Sequence, residues 1–264
     1  YSTADITVKN AGLTANNSEA LVIEGKNSIT LENCTVSGSM SENGTSADEN
    51  THNIMIYQSM SGDAEVGTSN FSMIGGSLTG KNGDLFYITN THSTITLSSV
   101  TLNNEDNSAN LMTIAGNSAS HGWGTAGKNG AQVELTADNQ TLTGAITVDS
   151  ISTLDLYLTA QSTLTGAVVQ DESCAGEGGN GYCVVHVSEN STWTVTADST
   201  VTALYCAGNL VDAQGNAVRV VSPEGEVLRE GTSDVTVTAD YYEAACDLSC
   251  QGAVSQWSDY AVEF

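Results

Sequence analysis

Residues 133–146, VELTADNQTLTGAI, and residues 156–168, LYLTAQSTLTGAV, are one motif written twice. Repeats with periods of about 20–50 residues mark solenoids, because a unit of that size cannot bury its own apolar face and must stack on a copy of itself. The repetition reaches well beyond this pair. ITVKNAGLT (6–14), ITLENCTVS (29–37), FSMIGGSLT (71–79) and ITLSSVTLN (95–103) each place apolar or small residues at their first, third, sixth and eighth positions. Alternation of period two predicts a strand with one buried face, and the break after the third position predicts a turn or bulge.

Short apolar runs lie between these segments: ALVIEG (20–25), NIMIYQ (53–58), DLFYIT (84–89) and NLMTIAG (110–116). Later the same rhythm returns as VELTAD, LYLTAQ, WTVTAD (193–198) and VTVTAD (235–240). No amphipathic helix of useful length is legible. Abundant β-branched residues, with Gly and Asn at the corners, therefore point to an all-β fold, a right-handed parallel β-helix over residues 1–204. After Leu204 the alternation is broken by Gly-Asn, Pro-Glu-Gly and Glu-Gly turns. Residues 205–264 are accordingly expected to form a small antiparallel cap of hairpins that closes the last coil's open edge.

Charge narrows the partners. Against 31 Asp and Glu stand 6 Lys and Arg, a formal net charge of −25. Such a surface repels phosphate backbones and anionic lipid heads, which excludes nucleic-acid binding and electrostatic membrane docking. No run of about 18 apolar residues is present, so no transmembrane segment is expected. A basic-plus-apolar leader is not found at Tyr1, so any secretion signal is expected to have been removed or to lie upstream.

Six cysteines fit an oxidising compartment and allow 15 pairings. Cys174 and Cys183 flank the short loop AGEGGNGY and are the favoured bridge; Cys246 and Cys250 pair with each other or pin the tail. Cys34 occupies a repeat position filled elsewhere by Ala11, Gly76 and Val100, and reads as a small buried thiol. The cysteine spacings do not match those of a zinc site.

Catalytic signatures are sparse. A lyase needs a base and cations against the sugar carboxylate, yet Lys9, Lys26, Lys81 and Lys128 have no acidic ligand cluster beside them in sequence. A hydrolase needs carboxylates on neighbouring coils, for which Asp138, Asp149 and Asp155 are the candidates. The histidines, His52, His92, His121 and His186, are scattered and read as surface or turn residues. Asp-rich turns such as SADEN (46–50), NNEDN (103–107) and DES (171–173) offer the oxygen ligands Ca²⁺ takes, without the spacing that would identify a site. Thr-x-Thr pairs, such as 194/196 and 236/238, are too sporadic to make the regular array of an ice-binding face.

One segment interrupts the coils: GNSASHGWGTAGKNG (116–130). Its Trp123, with His121, is the candidate glycan contact, since an exposed Trp among glycines stacks on a sugar ring. The competing reading has Trp123 fold back to cover a groove between coils.

The blocks VIEGKNSITLENC, IMIYQSMSGDAEVGTSNFSMIGGSLT, LFYITNTHSTITL, AGNSASHGWGTAGKNGAQVELTADNQTLTGAITVDSISTLDLYLT and STWTVTADSTVTAL resemble the secreted right-handed parallel β-helix repeat proteins, often described as adhesin-like, of anaerobic, largely gut-dwelling bacteria. The resemblance covers most of residues 20–204. It implies an extracellular or wall-attached location, and adhesion to a glycan or cell-surface protein; it implies no reaction and no catalytic residue. An uncapped first coil beside Tyr1 adds self-association through the solenoid ends as an expectation. The competing functions are a polysaccharide lyase or glycoside hydrolase and a purely structural stalk.

Overall fold

The computed structural model describes residues 4–40, 50–59, 61–117, 123–171, 181–246, 248–249 and 251. The chain winds as a parallel β-helix with three faces, visited in the order one, two, three on every coil. The first coil consists of β1 (Ile6–Lys9), β2 (Gly12–Thr14) and β3 (Leu21–Glu24). In the second and third coils a single long strand turns the corner between the first two faces. These strands are β4 (Ser28–Gly38), followed by β5 (His52–Tyr57), and β6 (Thr68–Gly80), followed by β7 (Asp84–Thr89). Three coils then repeat the full pattern: β8 (His92–Ser98), β9 (Thr101–Asn104) and β10 (Met112–Ile114); β11 (Gln132–Asp138), β12 (Thr141–Thr143) and β13 (Ile146–Asp149); β14 (Thr153–Thr159), β15 (Thr163–Thr165) and β16 (Val168–Asp171). The seventh contributes β17 (Tyr182–Val187), β18 (Thr192–Val195) and the start of β19 (Ser199–Cys206).

The alternation seen in the sequence becomes ladders of identical depth. On the first face Ile6, Ile29, Phe71, Ile95, Leu135, Leu156, Val185 and Leu204 form one inward row, each paired in register with the next. The second face contributes Leu13, Val36, Leu78 and Leu102, then Leu142, Leu164, Trp193 and Leu210. On the third, Leu21, Ile54, Phe86, Met112, Ile146 and Val168 stack. These rows close into one continuous core, each fully buried aliphatic contributing about 1.5–3 kcal/mol.

The break within each nine-residue motif is the corner from the first face to the second. One residue there takes a left-handed conformation, at Asn10, Asn33, Ser99 and Asn139 with φ between 48° and 55°, which asparagine tolerates better than β-branched residues. The next position points inward, and there Cys34 is a fully buried free thiol, as its repeat position predicts.

Two features of the chain's end depart from a simple antiparallel cap. A hairpin does form, between β21 (Arg219–Val221) and β22 (Val227–Arg229). However, residue 204 falls inside β19, β20 (Asn209–Asp212) pairs in parallel with β18, and β23 (Thr236–Glu243) pairs in parallel with β19. The helical winding thus continues through Glu243, with the hairpin set beyond it. VTVTAD repeats the earlier motif because it occupies a true coil position.

The outer surface of the second face also departs from the sequence reading. Thr141 and Thr143, Thr163 and Thr165, and Thr192 and Thr194 stand in register on β12, β15 and β18. The Thr-x-Thr pairs are contiguous there rather than sporadic, because insertions at the coil corners had concealed their common register.

Candidate functional site

A trough runs along the outside of the first face, across the strands. Its wall is one register row: Thr68, His92, Gln132, Thr153 and Tyr182, on β6, β8, β11, β14 and β17. Four strand steps at about 4.7–4.9 Å make it about 19 Å long. At one end lies a 310 Å³ depression lined by Gln58, Val66, Asn90, Thr91 and the shared Thr68, His92 and Gln132. The middle is a 230 Å³ depression holding Glu134 and Asp155. Asp155 also belongs to the next hollow, of 550 Å³, walled by Tyr157, His186, Tyr205 and Glu243.

The end depression is built of amides, hydroxyls and an imidazole. Gln58 is 2% exposed and neither atom of its amide has a hydrogen-bond partner. Asn90 donates to the Gln58 carbonyl at 2.6 Å and so fixes the backbone beneath it. Buried amides are normally paired, so this one has donors and acceptors left to meet water or a ligand in the depression.

In the middle, Glu134 and Asp155 face outward from neighbouring strands in register. The Tyr182 hydroxyl donates to Asp155 at 2.9 Å. Burial raises the Tyr182 pKa, and the hydrogen bond to Asp155 adds to the shift. Beyond them His186 is sandwiched between Tyr157 at 4.4 Å and Tyr205 at 4.9 Å, all three rings nearly parallel. Their faces are spent on one another, so this column offers edges rather than stacking platforms.

The carboxylates nominated from the sequence do not meet. Asp155 lies in the trough, but Asp149 is buried at the end of the third face, accepting the Gly116 and Ile151 amides at 2.6 and 3.2 Å. Asp138 ends β11, where Ser98 donates to it at 3.1 Å. Asp155's neighbour is instead Glu134, a residue the sequence reading passed over. The lysines stay away as well: Lys9 pairs with Glu32 at 2.6 Å and Lys26 with Glu65 at 3.2 Å, and no Lys or Arg lines any of the three hollows.

Trp123 lies outside the trough. Its ring packs on Tyr57 at 4.6 Å over a patch formed by Met55 and Tyr87 on the third face. The segment's ends are pinned by buried amides, with Asn129 donating to the carbonyls of Asn117 and Trp123 at 2.8 and 3.0 Å. Trp123 thus takes the folded-back position; His121 lies outside the described residues. Two of the other histidines are buried rather than exposed, His186 by its ring neighbours on the outer side of the first face. His52 is fully buried, 3.5 Å from Glu19 and 2.7 Å from the Asn50 carbonyl, and His186 is 8% exposed.

The cysteines follow the same logic of coil position. Cys183 faces inward on β17, in register with Leu154, and carries a free, fully buried thiol whose pKa burial drives upward. An inward strand position directs this sulfur into the core. Cys174 and Cys250 lie outside the described residues, and Cys246 is half-buried beyond the last strand. Among the described residues no group of three or more His, Cys, Asp or Glu is placed to hold a metal, and no helix is long and apolar enough to cross a membrane.

No family model, curated protein or solved structure matches this chain.

Proposed function

We propose that the protein is a non-catalytic, adhesin-like module of the cell exterior that binds a glycan along the first face. The observation that carries this reading is the trough's uncharged end, where Gln58, Asn90, Thr91, Gln132 and His92 converge on one depression and the Gln58 amide has no partner. Amides and hydroxyls match the donors and acceptors of a neutral sugar. A strand-by-strand row of such groups repeats at a fixed interval, as the units of a polysaccharide do. Glu134 and Asp155 bias the middle of the trough against uronates and sulfated sugars.

A glycan array probed with the wild-type chain tests the proposal, followed by Gln132→Ala and His92→Ala on each hit. Binding weakened about tenfold or more by either change, at unchanged thermal stability, is expected. Retention of no glycan by the wild type refutes it. Trp123→Ala separates this site from the loop site: it leaves affinity within about twofold if the trough is the ligand's seat.

Glu134 and Asp155 support a second reading, a glycoside hydrolase. Carboxylates in register on adjacent strands are neighbours, as the acid and nucleophile of a retaining pair must be. Reducing-sugar release on array hits, lost in both Glu134→Gln and Asp155→Asn while binding persists, would replace the adhesin reading. No release from any bound glycan removes the hydrolase reading.

A further inference from the structure

Glu24 closes β3 and has no exposed surface at all. One of its carboxylate oxygens accepts the Ser59 hydroxyl; the other, Oε2, has no partner. Its register neighbour is Tyr57, whose phenol is held in the neutral form by burial first, with the Glu24 charge and a hydrogen bond to the Glu24 carboxylate adding to it. No lysine, arginine or histidine among the described residues pairs with Glu24; the nearby Lys26 ammonium goes to Glu65 at the surface. A buried carboxylate with no opposite charge beside it costs several kcal/mol even when hydroxyls donate to it, and a cation would offset that cost.

A second orphan sits one coil on, at the same corner. Gln58 follows β5 as Gly25 follows β3, and its Oε1 stands over Gly25, where a Cβ would lie 2.7 Å from it and 2.5 Å from the Glu65 carbonyl oxygen. The left-handed Gly25, φ 63°, is what leaves that space open. Buried 98% and without a partner on either amide atom, Gln58 belongs to the segment that returns over β3. Ser59 and Ser61, hydrogen-bonded to each other at 2.7 Å, supply hydroxyl oxygens beside Glu24.

We propose that Glu24 and Gln58 hold a Ca²⁺ ion at this corner, with Ser59 as a neutral oxygen ligand. Each donor is hard oxygen, which suits Ca²⁺; no imidazole or thiolate is offered to zinc. A single carboxylate places the affinity in the weak range of extracellular modules, about 10⁻⁴–10⁻³ M. The ion neutralises the orphaned charge and fastens residues 58–67 to the first coil. Because Val66, Gly67 and Thr68 line the trough's end, calcium also shapes that end, a consequence that rests on the trough being the glycan site.

The test uses the full chain stripped with a chelator, with Ca²⁺ and Tb³⁺ as probes. Tyr57 and Trp123 are close enough to the corner to sensitise Tb³⁺ emission, which Ca²⁺ should then quench by competition. Millimolar Ca²⁺ is expected to raise the wild-type melting temperature and to leave Glu24→Gln unmoved, and Tb³⁺ affinity should fall about tenfold or more in that variant. Gln58→Leu, which keeps the charge and removes a ligand, should weaken both probes in the same direction, and it serves if Glu24→Gln does not fold. Wild-type Tb³⁺ affinity in both variants places the ion elsewhere on this acidic surface and overturns the proposal. So does a wild-type melting temperature indifferent to Ca²⁺. Neither readout involves a glycan, so an empty glycan array leaves the ion site standing, and a failed ion site leaves the trough to its own test.

Discussion

Replacing Gln140 probes how consecutive coils are joined where the backbone ladder is interrupted. On the second face β9 belongs to the large sheet and β12 begins a separate four-stranded one, with no ladder between them. Gln140, 1% exposed, fills the gap. Its Oε1 accepts the Val100 amide at 2.8 Å, and its Nε2 donates to the carbonyls of Val100 and Thr141 at 2.8 and 2.7 Å. A side-chain amide thereby does for Val100 what a neighbouring strand does elsewhere. Gln140→Leu keeps the bulk but strands a buried N–H and a buried carbonyl at Val100. Each unsatisfied group costs about 1–3 kcal/mol, so the loss for the two is about 2–6 kcal/mol. At about 2 °C per kcal/mol for a chain of this size, the melting temperature falls by about 4–12 °C. Solenoids unfold in parts, so amide exchange is the sharper assay. Exchange at Val100 should accelerate more than at Leu31, which lies in an intact ladder. A variant melting within about 2 °C of wild type, with Val100 still protected, would refute the argument that this side chain replaces a missing ladder.

Acid should act first near the second coil. His52 is the largest influence holding the Glu19 pKa down to about 2, from 4.5. A depressed carboxylate contributes stability present above its unfolded pKa and lost as pH falls through its folded one, so the loss spans about pH 4.5 to 2. Glu19→Gln should flatten the melting temperature's pH dependence in that window, and an unchanged profile counts against the Glu19–His52 contact. The thiols of Cys34, Cys183 and Cys206, all buried, should resist alkylation in the native protein and react after unfolding. A Cys174–Cys183 disulfide peptide in a non-reducing digest would contradict the inward placement of Cys183. Trp193, fully buried with its Nε1 donating to the Gly166 carbonyl at 3.0 Å, should cost about 3–5 kcal/mol when truncated to Ala; chemical denaturation that shows under 1 kcal/mol would mean that the second face can collapse around the gap.

What the sequence disclosed was position within a coil, and what it concealed was which coils touch. The inward rows were legible because alternation is local: Ile29 and Leu31 read as inward without knowledge of Phe71 and Met73, their partners on β6. Cys34 was legible for the same reason, its place in the motif being that of Ala11, Gly76 and Val100. Contacts between coils depend on register, and corner insertions of variable length scramble the spacing from which register would be read. Glu134 and its pairing with Asp155 therefore escaped notice, while Asp138, Asp149 and Asp155 were grouped by residue type although one ends the first face, one ends the third and only the last faces the trough. The Thr pairs on β12, β15 and β18 were lost to the same scrambling, because Thr163 follows Thr141 by 22 residues but Thr192 follows Thr163 by 29. Trp123 was chosen for its glycine-rich surroundings, a local signal blind to Tyr57 two coils away in the chain's path. Glu24 was hidden most thoroughly: within LVIEG its charge reads as the exposed end of a strand, and only the chain after β5, which brings Ser59 to its carboxylate and Ala64 and Glu65 to Gly25, makes it a buried acid.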